Sequence, residues 1–539
     1  MPASVTLCNL SWSAPDGTAV LSDLNFSFAA ERTGLVGRNG SGKTTLLRLI
    51  TGDLAPSTGN VTRTGTAGLL RQSLLPEASD TVADLFFEVS SALELINRAE
   101  VGRASVEELA EADWTLPARM ERALHRCGLA VDPQAPLLGL SGGQRTRARL
   151  AALLFAEPDV LMLDEPTNDL DRAGRVAVID ILRDWRQAAI VVSHDRELLE
   201  EMDAIVELSN LGARRYDGGY SAYHTQKQEK LAAVRQDLAD AEKARAEQKR
   251  RAQQAAERKA RKDSRGRRSR TKGDQPKVLM DARKERAEGS DGTHARLRND
   301  RRVAAEAKVS EAREKVEVVE PLTMEIAPTG LPRSRTVLRL EGVSGGPDPD
   351  RPIIRNRSLV MTGPERIAVT GPNGSGKTTL LNLVAGRRAP DAGTIRREVA
   401  TAYLDQDVGF LVPELSLRES FCRLNPEANE TECRAALARF RFRSDEALRL
   451  INSLSGGERL RAGLACTIGR SEPPALLILD EPTNHLDLDG IEALEAALTS
   501  YDGALLLVSH DEAFLDRLRI DRRVSLGEQP GSFVSLGRT

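Results

Sequence analysis

Two nine-residue stretches, GRNGSGKTT at Gly37–Thr45 and GPNGSGKTT at Gly371–Thr379, set a lysine and two threonines behind a glycine-rich loop. Each follows a short apolar run (Gly34-Leu35-Val36; Ile367-Ala368-Val369) and precedes helix-forming residues (TTLLRLI; TTLLNLV). In a strand–loop–helix setting, glycines let backbone N–H groups converge on a phosphate, and the helix N-terminus adds favourable partial charge. The candidate phosphate contacts are Gly37, Asn39, Gly40, Ser41, Gly42, Lys43, Thr44 and Thr45 in one copy. In the other they are Gly371, Asn373, Gly374, Ser375, Gly376, Lys377, Thr378 and Thr379. Lys43 and Lys377 are placed to neutralise the outer phosphates of a nucleotide, and Thr44 and Thr378 to ligate Mg²⁺.

Hydrolysis also needs a metal carboxylate and a group that polarises water. LMLDEPTNDLD (Leu161–Asp171) and LILDEPTNHLD (Leu477–Asp487) each put an Asp-Glu pair at the end of an apolar strand. Asp164 and Asp480 are candidate metal carboxylates, and Glu165 and Glu481 candidate catalytic groups. His194 and His510 each follow an apolar strand and a serine, 30 residues after the aspartate in both copies. A lone histidine is usually structural, but this fixed spacing marks a γ-phosphate sensor that positions water. Gln72 and Gln406, each 29 residues after the loop lysine, are candidates to bridge water and Mg²⁺. LSGGQ (Leu140–Gln144) and LSGGE (Leu454–Glu458) provide a second Ser-Gly-Gly helix start per copy, another phosphate-binding N-terminus. Ser141, Gly142, Gly143, Gln144, Ser455, Gly456, Gly457 and Glu458 join the nucleotide contacts on that ground.

These motifs recur in one order, so the chain is an internal repeat of α/β units. One interval differs: Gln72 to Ser141 is 69 residues, Gln406 to Ser455 is 49. The extra 20 residues fall within about 83–120, a mostly helical stretch, either a loop expansion or an arm that contacts something. Between the copies, residues 221–320 hold 28 Lys+Arg against 18 Asp+Glu, although the whole chain has a net charge of −3. A basic middle between acidic ends suits a polyanionic partner. Lys227–Lys262 is rich in helix formers, with a narrow seam of Leu231, Val234, Leu238 and Ala241. Lys262–Pro276 reads as a breaker-rich basic turn, and about 277–320 as a returning helix. Two helices of about 43 residues would each reach about 65 Å. The alternative is a solvated spacer, which needs no turn carrying seven Lys+Arg between Arg261 and Lys272.

The chain has no apolar run of membrane-spanning length and no export pattern at its start, so a cytoplasmic protein without membrane insertion is expected. Five cysteines without a CxxC pair fit inert thiols better than a zinc site or a disulfide framework.

Motifs of this kind in this order resemble the ATP-binding-cassette superfamily, across both copies. The resemblance implies an intramolecular, head-to-tail cassette dimer in a monomeric chain, with two ATP molecules sandwiched. Lys43, Asp164 and Glu165 would face Ser455, Gly456 and Gly457, and Lys377, Asp480 and Glu481 would face Ser141, Gly142 and Gly143. Trp12, 25 residues before Gly37, stands about where that superfamily places an adenine-stacking aromatic, unless it is a core or surface tryptophan. The second copy has no aromatic between Thr336 and Thr370, so its adenine contact would be apolar or borrowed. Two cassettes, a charged helical linker and DEPTN(D/H)LD in both copies are similar to the ABC-F family of ribosome-associated ATPases. DGGYSAY (Asp217–Tyr223) also matches how that family's linker begins. The fold expected is α/β, two P-loop cassettes (1–216 and 336–539) joined by a long antiparallel helical hairpin (217–335), with the 83–120 insertion as an arm. The resemblance implies binding at the ribosomal exit site, with the linker toward P-site tRNA and the peptidyl-transferase centre and contacts to rRNA. Either a housekeeping translation factor or an antibiotic-resistance protein fits. With one aromatic, Tyr223, in residues 221–320, backbone and shape recognition of RNA is expected rather than base stacking. The rival readings are a transporter's ATPase subunit, which leaves the linker unexplained, and a DNA-repair ATPase, whose coils split a cassette or whose zinc sites need paired cysteines.

Overall fold

A computed structural model describes residues 3–71, 80–86, 89–168, 170–209, 212–270, 326–405, 408–440, 442, 444–484, 486–527 and 535–536. The chain divides into two compact units, Met1–Tyr223 with Leu322–Thr539, and His224–Pro321.

The first unit contains two copies of one architecture. In the first copy a six-stranded sheet runs Ala67–Leu70, Val160–Asp164, Ala188–Val192, Arg32–Val36, Ala204–Ser209, Gly212–Asp217. All neighbours are parallel except the last pair. The second copy repeats this order with Thr401–Leu404, Leu476–Asp480, Ala504–Val508, Arg366–Thr370, Arg522–Ser525 and Ser535–Leu536. Val160–Asp164, Ala188–Val192, Leu476–Asp480 and Ala504–Val508 are buried at every residue. That explains their unbroken apolar runs, because a parallel strand covered on both faces has no solvent side. A three-stranded antiparallel sheet accompanies each (Ala19–Phe28, Ser4–Ser13, Thr58–Thr64; Ile354–Thr362, Thr336–Gly345, Ala392–Arg397). Each copy thus packs apolar cores on both faces of its large sheet.

The length difference between copies is visible between two matched β-bridges. Thr81 pairs with Pro136 and Ser416 with Leu450, partners that lie 55 and 34 positions apart. The first interval contains helices Ser90–Glu100, Val106–Glu111 and Leu116–Arg126, the second Leu417–Leu424 and Glu430–Arg439. Helix Val106–Glu111 begins with a reciprocal cap between Ser105 and Glu108. The excess is therefore folded helix rather than an expanded loop.

The linker helix runs from Tyr220 to Arg270. It passes through Lys262–Arg270, where the sequence suggests a turn. Gly266 is the sole glycine or proline in that stretch, and one glycine costs only about 1 kcal/mol in a helix whose arginine and lysine neighbours are good helix formers. Leu231, Val234, Leu238 and Ala241 are less exposed than the residues around them, as a narrow seam requires. The returning segment 277–320 lies outside the described residues. Among the described residues, no helix is long and apolar enough to cross a membrane.

The foot of the linker helix is fixed to the first cassette. The Ser221 amide donates to Glu200 Oε2 at 2.8 Å, giving the helix start an acidic partner. Tyr216 and Tyr223 hydroxyls donate to the two oxygens of Glu207, both at 3.1 Å, and their rings meet edge to face.

Candidate active site

The phosphate loops gain their shape from glycines at left-handed angles. Gly42 and Gly376 cap the following helices at φ +93°. A Cβ on Gly42 would stand 2.7 Å from Leu21 Cδ2, and one on Gly376 2.6 Å from Ile353 Cγ2. Lys43 and Lys377 are buried, each ammonium donating to loop carbonyls, at 2.6 Å to Gly37 and 2.9 Å to Gly371. Burial holds both lysines below their ordinary pKa, opposed at Lys43 by Glu165, Asp487 and Asp164 and at Lys377 by Glu481, Asp171 and Asp480.

Asp164 and Asp480 end their strands buried. Burial raises both carboxyls, and the threonine behind the loop lysine, Thr44 or Thr378, acts to lower each. The next residues, Glu165 and Glu481, sit at φ +50° and +45°, a region that costs a non-glycine residue of order 1–3 kcal/mol. The strain is held by Glu165 N donating to Val192 O at 2.9 Å and Glu481 N to Val508 O at 3.0 Å. Burial pushes Glu165 up to about 8 and Glu481 up to about 7. It pushes His194 down to about 3 and His510 to about 4, so both imidazoles are neutral at pH 7. His194 Nε2 stands 3.3 Å from Glu165 Oε1, and His510 Nε2 3.4 Å from Glu481 Oε1, without the angle of a hydrogen bond.

A cavity of about 570 Å³ brings the first copy's groups together with residues of the second cassette. Asn39, Gly40, Gly42, Lys43, Thr44, Thr45, Asp164, Glu165 and His194 line it from the first cassette, Gly456, Thr483 and Asn484 from the second. Gly37, Ser41, Ser455, Gly457 and Glu458 are not among its lining residues. Trp12 is half-buried against the core beneath its strand, and Val20, rather than Trp12, borders the cavity. Gln144 and Glu458 close capping boxes on Ser141 and Ser455, their side chains accepting from the serine amides at 2.9 Å. This engagement was readable from the S-x-x-Q/E spacing. Gln72 and Gln406 lie outside the described residues.

The sequence reading missed Asp171 and Asp487. Each caps its own helix through Oδ1, at 3.0 Å to Gly174 N and 2.8 Å to Gly490 N. Each offers Oδ2 to the opposite phosphate loop, Asp487 to Asn39 N at 3.0 Å and Asp171 to Asn373 N at 3.4 Å. The signal was present, because the Leu-Asp after DEPTN recurs in both copies. A further cross-cassette contact is buried: Arg196 Nη1 donates to Glu495 Oε1 at 2.5 Å.

Buried polar atoms without hydrogen-bond partners occur among the motif residues of both copies: Ser41 Oγ, Asp164 Oδ1, both nitrogens of His194, Ser375 Oγ, both oxygens of Glu481 and Nε2 of His510. Such atoms are costly inside a protein, and this set suits a polyphosphate with a hard cation. The threonine hydroxyl and carboxylate oxygens are the donors Mg²⁺ prefers.

The ABC transporter family model matches residues 21–168 and 354–484. The tylosin resistance ATP-binding protein TlrC of Streptomyces fradiae is 34% identical, over 93% of this chain and 94% of that protein. The energy-dependent translational throttle protein EttA of Mycobacterium tuberculosis is 32% identical, over 92% and 87%. The chain belongs to the ABC-F family of tandem ATP-binding-cassette ATPases. The fold of this ABC-F protein is also that of the archaeal ribosome recycling factor aABCE1, solved with stalk protein aP1. The two share a TM-score of 0.57 and 17% identity, over 98% of this chain and 90% of that one.

Proposed function

We propose that this ABC-F protein hydrolyses ATP at two composite sites and uses the cycle to engage and leave the ribosome. The observation that carries the hydrolytic reading is the cavity in which Lys43, Asp164, Glu165 and His194 meet Gly456 of the other cassette. Thr44 with Asp164, and Thr378 with Asp480, would hold Mg²⁺, aided by Gln72 and Gln406; bound there, it supplies neutralising charge to the outer phosphates. Lys43 and Lys377 bind those phosphates, and Ser141-Gly142-Gly143 and Ser455-Gly456-Gly457 close on them from the opposite cassette. Glu165 and Glu481 accept a proton from the attacking water, and neutral His194 and His510 orient it against the γ-phosphate.

For the partner, TlrC is named for tylosin resistance and EttA for throttling translation. The basic linker adds a physical reason, since arginine and lysine can pair with rRNA and tRNA phosphates. The reading is an exit-site factor in the closed, ATP-bound form, its linker directed toward P-site tRNA and the peptidyl-transferase centre. Changing both Glu165 and Glu481 to Gln should leave ATP bound and hold the protein on ribosomes in a sucrose gradient, with phosphate release reduced about 100-fold or more. Failure to co-sediment, with binding to membranes or DNA instead, would overturn the ribosomal reading. Growth of a host on tylosin with and without the protein separates resistance from a housekeeping role.

A further inference from the structure

The two halves are copies in their motifs but not around the turn that follows each switch histidine. In the first cassette this turn is His194-Asp195-Arg196, and Arg196 begins the helix Arg196–Glu200. Asp195 fixes the turn, accepting from Glu197 N at 3.0 Å and Leu198 N at 3.2 Å. Arg196 is 9% exposed, Glu495 7%. The guanidinium donates to Glu495 of the second cassette at 2.5 Å and lies over the ring of Tyr220, the first residue of the linker helix, 5.5 Å from its centroid. One buried cation therefore touches the second cassette and the linker foot, two residues from His194.

Among the described residues, the repeat holds no hydrogen-bonded counterpart of this arrangement. Asp164 corresponds to Asp480 and His194 to His510, an offset of 316. Arg196 then corresponds to Glu512, and Glu495 to Ile179. Glu512, partly exposed, bridges Arg523 of its own cassette at 2.7 Å, and its charge also reaches Arg172 of the first cassette. Burying a paired charge is costly, and removing one partner leaves the other uncompensated. The buried pair thus distinguishes two otherwise equivalent places.

We propose that Arg196 is a positioning residue for hydrolysis at the Glu165 site, tying the His194 turn to Glu495 of the closed second cassette and to Tyr220 at the linker foot. Arg196 also faces the carboxylate of Asp511 beside His510, but among the described residues no hydrogen-bonded counterpart ties the His510 turn to the first cassette. Hydrolysis at one site is thereby made conditional on the second cassette and the linker foot both being seated. This inference rests on the hydrolytic reading above.

The test uses the full-length chain and single-turnover cleavage of γ-labelled ATP at saturating nucleotide. Glu481→Gln isolates the Glu165 site, and Glu165→Gln the Glu481 site. Arg196→Met should slow the Glu165 site at least fivefold more than the Glu481 site, with ATP affinity changed less than the rate, and Arg196→Lys should recover most of that rate. Tyr220→Leu and Glu495→Gln, which alter the two groups touching Arg196, should be non-additive at the Glu165 site by fivefold or more. Equal slowing at both sites, or an additive Tyr220/Glu495 cycle, overturns the proposal. If Arg196→Met does not fold, the Glu495→Gln and Tyr220→Leu cycle decides alone. Undiminished cleavage in the Glu165→Gln/Glu481→Gln double variant would instead refute the hydrolytic reading beneath it.

Discussion

Asp487 offers a test in which two roles of one side chain come apart. Its Oδ1 caps the helix Leu488–Ser500, and its Oδ2 accepts from Asn39 N of the opposite phosphate loop. Replacing an N-cap aspartate by alanine costs about 1 kcal/mol of helix stability, whereas asparagine caps about as well. The cross-cassette bond is partly open to water, so its net contribution is about 1 kcal/mol, close to fivefold in an equilibrium constant. Asp487→Asn should therefore keep the urea midpoint of the second cassette and weaken ATP-driven closure about fivefold, since an amide can cap but has one acceptor. Asp487→Ala should lose both. Closure is read from energy transfer between dyes on the two cassettes during ATP titration. The longer 3.4 Å contact of Asp171 with Asn373 predicts a smaller effect for Asp171→Asn. Closure unchanged in Asp487→Asn, or a larger effect from Asp171→Asn, would refute the assignment of the cassette contact to these oxygens.

Activity should rise with pH as the buried glutamates ionise, the Glu481 site through about 7 and the Glu165 site through about 8; a rate flat from pH 6 to 9 would contradict this. The same shifts act oppositely on stability. A glutamate with a raised folded pKa binds its proton more tightly in the fold, so its contribution falls from its ordinary value up to about 7 or 8. The depressed histidines instead add stability as pH rises from about 3 or 4 to their ordinary value, and urea midpoints across pH resolve both limbs. Gly42→Ala should weaken ATP binding at the first loop at least tenfold by equilibrium dialysis, because the left-handed angle costs about 1–2 kcal/mol and the new methyl meets Leu21 and Val20.

Much of the site was legible because its chemistry is local in sequence. A glycine-rich loop, an Asp-Glu pair ending an apolar strand and a histidine after the next strand each carry their own context. The repeat also exposed the unequal insertion, because it supplied an internal ruler. Contacts between distant residues were not legible: Arg196 and Glu495 lie 299 positions apart, and only the packed cassettes join them. Gln144 and Glu458 carry a second signal, since phosphate recognition and helix capping draw on the same residue types at a helix start, and the structure shows the capping one. The linker helix outran its expected end because basic residues suggest a surface turn, while their backbone preference is helical.

The brace at the linker foot sets an angular tolerance. Glu207, which accepts from both tyrosines, pairs in register with Val36, the residue before the phosphate loop. A helix of 51 residues is about 76 Å long, so a tilt of one degree at its foot carries the far end about 1.3 Å, close to the length of a covalent bond. Any error at the foot is magnified along such a length, and two phenol hydroxyls on one carboxylate hold that foot beside the strand that feeds the nucleotide loop. A small loss of stiffness at Glu207 would therefore be felt first as imprecision at the far end, long before the cassette itself unfolded.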